Sequence, residues 1–399
     1  MNIWRSLRGL PRDVWVLAFA SLVNRAGTMV LPFLVLYLTR EQGFSAPRAG
    51  LALAVYGAGS IIAAPIAGRL SDRIGPLPIM RWSLALTGLL LLVYPFVSGF
   101  LPIIAMTLAW AIVSEAFRPA NLAMIADIAT PEQRKPAFAL MRLAINLGMS
   151  VGPAAAGFIA AKSFPMIFLV DAVTTILAAS VLILTPMAGA KHVVSEVSHP
   201  LHSGGLRRVL VLDDRRYLLF LGALFLTGVV FFQHEGVLSL FLVEGLGLSP
   251  AFYGMLFTIN TVMIVFMEVP LNAATAHWDH KRGLAIGAFL FAAGSGLFMF
   301  ATGPVLIIIG IMIWTFGEMM LFPQASAYVA EIAPSHRRGE YMGAYSLAFN
   351  FAFAIAPWAG TVVFAEFGAR VLWGGVFLVG AVSAFMMTHV STEVSQNKA

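Results

Sequence analysis

The sequence predicts an all-α membrane protein: twelve transmembrane helices in two parallel six-helix repeats around a central cavity. Composition, the length of the apolar runs and self-similarity at a fixed offset carry that prediction. Of 399 residues, 59% are hydrophobic and only 11% charged, and mean hydropathy is +0.87. A soluble domain carries about 25% charged residues to keep its surface wet, so most of this surface faces something other than water. A spanning helix takes about 20 apolar residues. Runs such as Leu84–Val93 and Val305–Ile313 are unbroken, where a β-barrel would alternate polar and apolar positions.

Hydrophobic runs place the spans of the first half at 13–38, 50–70, 79–98, 102–128, 138–161 and 166–186. Those of the second half fall at 217–243, 251–274, 283–301, 304–332, 341–364 and 371–389. The halves, 1–186 and 217–399, are joined by a polar linker, 187–216. With the N-terminus inside, 18 of the 25 Lys and Arg residues fall in inner loops and tails and four in outer loops. That bias puts both termini in the cytoplasm. The short basic segment Met1–Arg12 lacks a small-residue cleavage site beyond the first apolar run, so that run reads as a retained helix. The +6 net charge is explained by the basic inner loops, and nucleic acid is not expected as a partner. There is no cysteine, which excludes disulfides and thiolate chemistry.

The repeat appears on shifting the chain by 204 residues. Leu38, Gly43, Ser45 and Gly50 then fall on Leu242, Gly247, Ser249 and Gly254. Trp110, Pro119 and Arg134 fall on Trp314, Pro323 and Arg338, Asp127 meets Glu331, Asn146 meets Asn350, and Pro153 meets Pro357. Apolar bias produces chance Leu and Ala matches, but does not align Trp, Asn and Pro at one offset. Six crossings return the chain to its starting side, so the copies are parallel, related by an axis along the membrane normal.

The loop after the second span reads Gly68-Arg-Leu-Ser-Asp72-Arg73-Ile-Gly75. It resembles the signature loop of the major facilitator superfamily, Gly-x-Leu-x-Asp-Arg-x-Gly. The glycines permit a tight turn, and Asp72 is placed to favour the N-terminus of a neighbouring helix, the one starting near Glu340. This chain departs from the family in following Gly75 with Pro76, Leu77 and Pro78 rather than basic residues. The counterpart near His277-Trp-Asp279 is degenerate. The fifth span carries Gly148-x-x-x-Gly152-Pro153-x-x-x-Gly157, similar to the motif of the superfamily's proton-driven antiporters, chiefly drug exporters. The segment Arg338-Gly-Glu-Tyr-Met-Gly343 also resembles drug:proton antiporters. Glycines four apart equally serve close helix packing. The resemblance implies alternating access, a central cavity lined by the first, fourth, seventh and tenth helices, and a bacterial inner-membrane location.

An ionisable side chain at bilayer depth costs about 2.5 kcal/mol or more and marks a functional position by default. Four acids (Glu115, Glu235, Glu268, Glu318) and two arginines (Arg25, Arg118) lie in the deep set. Two acids thus lack a cation, and a buried carboxyl without a partner takes up a proton readily. Glu115, Glu235 and Glu318, with Glu268, are therefore candidate proton sites. Arg25, Asn24, Arg118, His234, Asn146 and Asn350 are candidate substrate contacts. The spacing of Glu115 and Arg118 puts them on one helix face. A fixed Arg25 salt bridge to Glu115 or Glu268 is the structural alternative, and interhelical hydrogen bonding is that for the two asparagines. Asp127 and Glu331, beside Arg134 and Arg338, read as helix-end pairs forming a gate with Gly68, Asp72, Arg73 and Gly75, with Arg142 a partner for Asp127. Asp171, near an outer end, is expected to be solvated.

These features point to a proton-coupled secondary transporter, exporting amphipathic or drug-like molecules. The alternative is uptake or exchange of a defined anionic or zwitterionic solute, which two cavity arginines would suit. His234-Glu235 lacks the second histidine of a zinc helix, and there is no nucleophile elbow or phosphate loop. No catalytic residue, metal or cofactor is expected, and the partners are a small-molecule substrate, protons and the bilayer. The chain is expected to act as a monomer.

Overall fold

The structure, a computed structural model, describes residues 9–187, 214–334 and 337–390. Most of the expected linker, and the basic residues Arg5, Arg8, Lys191, Arg207, Arg208 and Lys398, lie outside the described residues. Among the described residues, eleven helical segments are long and apolar enough to cross a membrane. They are α1 (Arg12–Arg40), α2 (Ala46–Ile74), α3 (Pro76–Phe96), α4 (Phe100–Ile128), α5 (Glu132–Ala160) and α6 (Phe164–Leu184), then α7 (Arg215–Gly245), α8 (Pro250–Ala274), α9 (His280–Phe300) and α10 (Pro304–Ile332). The last, Arg338–Thr388, has 51 residues. At 1.5 Å per residue it would be about 75 Å long, over twice the hydrocarbon thickness. It turns at Gly368 (φ 80, ψ 174), a conformation only glycine adopts without strain. It is thus two helices, α11 (338–367) and α12 (369–388), giving the twelve predicted. The loop expected at 365–370 is compressed to one residue.

Prolines start several helices, where the missing N–H costs nothing: Pro76 opens α3 behind Gly75 (φ 87), and Pro304 opens α10. The repeat is visible in backbone geometry. Gly43 and Gly247, 204 residues apart, have φ 67 and 68. The turn holding each closes with the same bond, Phe44 N–H to the Leu38 carbonyl at 3.0 Å and Leu248 N–H to the Leu242 carbonyl at 2.9 Å.

The chain divides into two compact units. The first comprises Met1–Lys191 with His234–Val262 and Pro357–Ala365; the second comprises His192–Gln233, Met263–Ala356 and Glu366–Ala399. The first has an apolar core between α1, α3, α4, α5 and α6, around Leu17, Met80, Met124, Met141 and Leu182. The second contains an aromatic cluster of Phe231, Phe291, Trp314, Phe322 and Phe349, with Phe231 stacked on Trp314 at 5.0 Å.

Among the described residues, three spans are interrupted. The first part of α1 ends at Ala26 and its second begins at Val30. Pro32 cannot donate to the Thr28 carbonyl, so the ladder fails there. In α4 the helix stops at Glu115 and restarts at Phe117, because Pro119 leaves the Glu115 carbonyl without its helical donor. Near Gly236 (φ −100, ψ −85), α7 passes through a tighter turn at Phe232–His234, a short helix Val237–Leu240 and a wider turn at Phe241–Gly245.

Candidate transport site at three helix breaks

Each interruption exposes backbone polar groups that need partners inside the membrane, and the charged residues cluster where those partners are. At the α1 break the first N–H groups of the second part point at α6. Asp171 Oδ2 accepts from Met29 N–H at 3.0 Å and Val30 N–H at 3.1 Å. Its Oδ1 accepts from the Thr175 hydroxyl at 3.4 Å, and Thr175 Oγ1 accepts from the Asn24 amide at 3.3 Å. Asp171 is 5% exposed, so the expectation of a solvated residue is corrected. It is the eighth residue of α6, about 10 Å in from the helix start, and its position helps to close the broken helix. Asn24, a candidate substrate contact, is engaged in the same chain of hydrogen bonds.

The α5 motif lies against this break. A Cβ on Gly148 would stand 2.6 Å from Arg25 Cβ and 2.8 Å from the Ala26 nitrogen. One on Gly152 would stand 2.9 Å from the Arg25 carbonyl oxygen and 3.1 Å from those of Ala26 and Thr28. Further along, Gly157 and Pro153 face the start of α8, at Pro250–Gly254. Small residues are required wherever backbones approach this closely. Asn146, two residues before Gly148, is half-buried.

At the α4 break, Glu115 Oε1 accepts from the Tyr56 hydroxyl at 3.0 Å, which lies 3.0 Å from Ser114 Oγ. Arg118 lies beyond the break and is exposed, so the expected single helix face is interrupted between the two. At the α7 break the Tyr253 hydroxyl sits 2.8 Å from the His234 carbonyl and 3.1 Å from that of Pro32, and donates to them. Glu235 Oε1 is 3.8 Å from His234 Nε2, while its Oε2 is buried without a hydrogen-bond partner. Glu235 stands within electrostatic reach of Glu115 and Arg25, and Asp171 within reach of Arg25.

A cavity of about 60 Å³ opens beside α1. Asn24, Arg25, Tyr56, Ser114, Glu115 and Asp171 supply its polar wall, and Leu84, Leu91, Trp110 and Phe117 its apolar wall. It is lined by α1, α2, α3, α4 and α6; of the four helices the resemblance implied, α1 and α4 contribute and α7 and α10 do not, while α2, α3 and α6 were not expected. Arg118 is not among its lining residues. Arg25 forms no ion pair within 4 Å among the described residues, so the alternative of a fixed salt bridge to Glu115 is not realised.

In the second unit Glu268 (α8), Glu318 (α10) and Asn350 (α11) are half-buried. Glu331 hydrogen-bonds to His280 Nε2 at 2.8 Å, and His280 Nδ1 lies 2.9 Å from Gln324 Oε1. The expected pairing with Arg338 is therefore replaced by one with His280, and Arg338 is exposed. In the first unit Asp127 is exposed, as is Arg142. Arg134 donates to the Ala126 carbonyl at 3.2 Å, capping the end of α4 instead of pairing with Asp127. Gly75 makes the turn expected of the signature loop, but Gly68 sits inside α2, where an added Cβ meets nothing within 4 Å. Asp72 and Arg73 are exposed.

The family model described as Major Facilitator Superfamily matches residues 17–249 and 223–397. The chain is 23% identical over 364 residues to the Na(+), Li(+), K(+)/H(+) antiporter of Planococcus maritimus, covering 84% of this chain and 85% of that protein. To Multidrug resistance protein 2 of Bacillus subtilis it is 26% identical over 246 residues, 61% of each chain. Among solved structures it is similar in fold to the nucleoside transporter NupG, with a TM-score of 0.81, 12% identity and coverage of 98% of this chain and 100% of that one.

Proposed function

From the premise that the chain belongs to the major facilitator superfamily, we propose that it is a proton-coupled antiporter exporting small amphipathic molecules by alternating access. Glu115 and Glu235 are its principal proton-exchanging groups in the first unit, and Glu318, with Glu268, is the candidate proton site of the second unit. The observation that carries the reading is the charge inventory at the breaks. Arg25, Glu115 and Asp171 line one cavity, Glu235 at the α7 break stands within electrostatic reach of Glu115, and one Glu235 oxygen is left unsatisfied. A proton on Glu115 or Glu235 removes like-charge repulsion, and a cationic or hydrogen-bonding substrate does the same. Proton and substrate thus compete for one group of acids, which is the requirement for exchange.

The relatives named an antiporter and a multidrug resistance protein support the direction, as does the α5 motif wedged against the α1 break. The chain acts as a monomer in the bacterial inner membrane with both termini cytoplasmic. Asp127 and Arg142, with the signature loop, are the gating residues of the first unit, and Glu331 and Arg338 those of the second. A second reading, uptake or exchange of an anionic or zwitterionic solute, is favoured by the unpaired Arg25.

Inverted membrane vesicles separate the two. An imposed acidic interior should drive a fluorescent amphipathic dye inward, and a protonophore should abolish the movement. Dye movement indifferent to the gradient would remove the antiport reading. Proton-linked movement in the opposite sense would favour the second.

A further inference from the structure

Arg25 and Glu115 line the same cavity with opposite charges, yet they form no ion pair within 4 Å. Two such groups in a low-dielectric site attract strongly, and a structural pair would close on itself. Here each is held by its own helix break. Gly148 and Gly152 fix the backbone at Arg25, and the Tyr56 hydroxyl holds Glu115. Thr87 lines the same cavity, is 6% exposed, and has a buried hydroxyl oxygen without a hydrogen-bond partner. Leu84, Leu91 and Trp110 give one side of the cavity an apolar surface.

We propose that this cavity binds a dipolar amphipathic solute, its carboxylate against Arg25, its ammonium against Glu115 and its apolar body against Leu84, Leu91 and Trp110. The assignment rests on the export reading and names its substrate class. A solute with both charges satisfies both groups, whereas a purely cationic solute leaves Arg25 desolvated and unpaired, and a purely anionic one does the same to Glu115. Burying an unpaired charge is costly. The ammonium also explains exchange: it takes the place of the proton on Glu115, while the carboxylate offsets the guanidinium.

The test is calorimetric titration of the purified transporter with three compounds of one shape: para-(aminomethyl)benzoate, which carries both charges, para-(aminomethyl)benzamide, which is cationic, and para-toluate, which is anionic. The dipolar compound should bind about tenfold or more tightly than either of the others, each lost charge-assisted hydrogen bond being worth at least that factor. Arg25→Gln should lower the dipolar compound to the affinity of the cation, and Glu115→Gln should lower it to that of the anion. Equal binding of the dipolar compound and either singly charged one by the wild-type protein would overturn the assignment, and that comparison needs no variant to fold. Equal weakening of all three compounds by Arg25→Gln would also overturn it. Because binding is measured without a gradient, the export reading stands or falls separately. Proton-linked transport without the dipolar preference removes only the substrate class, and the preference without proton-linked transport removes only the export reading.

Discussion

The carboxylate of Asp171 accepts the backbone N–H of Met29 at 3.0 Å across the break in α1. The same oxygen takes Val30 N–H at 3.1 Å, so one side chain of α6 caps the second part of α1 from outside that helix. A helix N-terminus carries unsatisfied donors and a partial positive charge, and a buried carboxylate answers both. Asp171→Ala should therefore leave two buried donors without partners, at about 1–3 kcal/mol each. Asp171→Asn keeps an acceptor and should recover most of the loss. Thermal unfolding of the detergent-purified variants checks this. An alanine variant as stable as the asparagine one would mean that the cap does not hold the break.

That relationship also shows where the sequence was legible. Span positions were readable because apolar runs and turn residues are local signals, and the repeat was readable because Gly43 and Gly247 perform the same turn. Pro32 and Pro119 are visible in the sequence and could have announced the breaks in α1 and α4, since each removes a helical donor. Asp171 could not be placed that way. Its partners lie more than 140 positions away, and counting it from an approximate helix end put it in water. The Glu331 partner was missed for a similar reason: Arg338 is near in sequence, but His280 comes from a separate helix.

The α5 motif yields a contrast between glycines. An alanine at Gly152 would press on three carbonyl oxygens of residues 25–28, and backbone cannot swing aside as a side chain can. Overpacking of this kind costs about 1–3 kcal/mol, and here it would displace Arg25 as well. Gly152→Ala should reduce transport about tenfold or more, while Gly68→Ala, which meets nothing within 4 Å, should leave unfolding unchanged. Transport rates in vesicles, normalised to the amount of folded protein, decide it. A fully active Gly152→Ala variant would show that the close approach is dispensable.

The Glu331 pair makes a smaller prediction. Its carboxylate is 56% exposed, so solvent screening holds the interaction to about 0.2–1 kcal/mol. A double-mutant cycle between His280→Ala and Glu331→Ala should recover a coupling of that size. The cycle between Arg338→Ala and Glu331→Ala should recover less. The reverse ranking would restore the pairing that proximity in sequence suggested.

Glu235 offers the sharpest test of coupling, because its environment is incomplete in a defined way. One carboxylate oxygen faces His234 at 3.8 Å, and the other is buried with no hydrogen-bond partner. An ionised carboxylate held so poorly is costly, and a proton or a substrate donor relieves it. Glu235→Gln fixes the neutral form permanently. The variant should lose accumulation driven by an imposed pH gradient, yet retain exchange of labelled for unlabelled substrate across the membrane, which needs no net proton movement. Glu115→Gln should lose both, since its carboxylate lines the cavity and is proposed to hold the substrate ammonium. Glu318→Gln, in the second unit, tests whether proton exchange extends beyond the three breaks, and unchanged coupling would confine it to Glu115 and Glu235. Gradient-driven accumulation by Glu235→Gln at the wild-type rate would show that the unsatisfied oxygen is not a proton site.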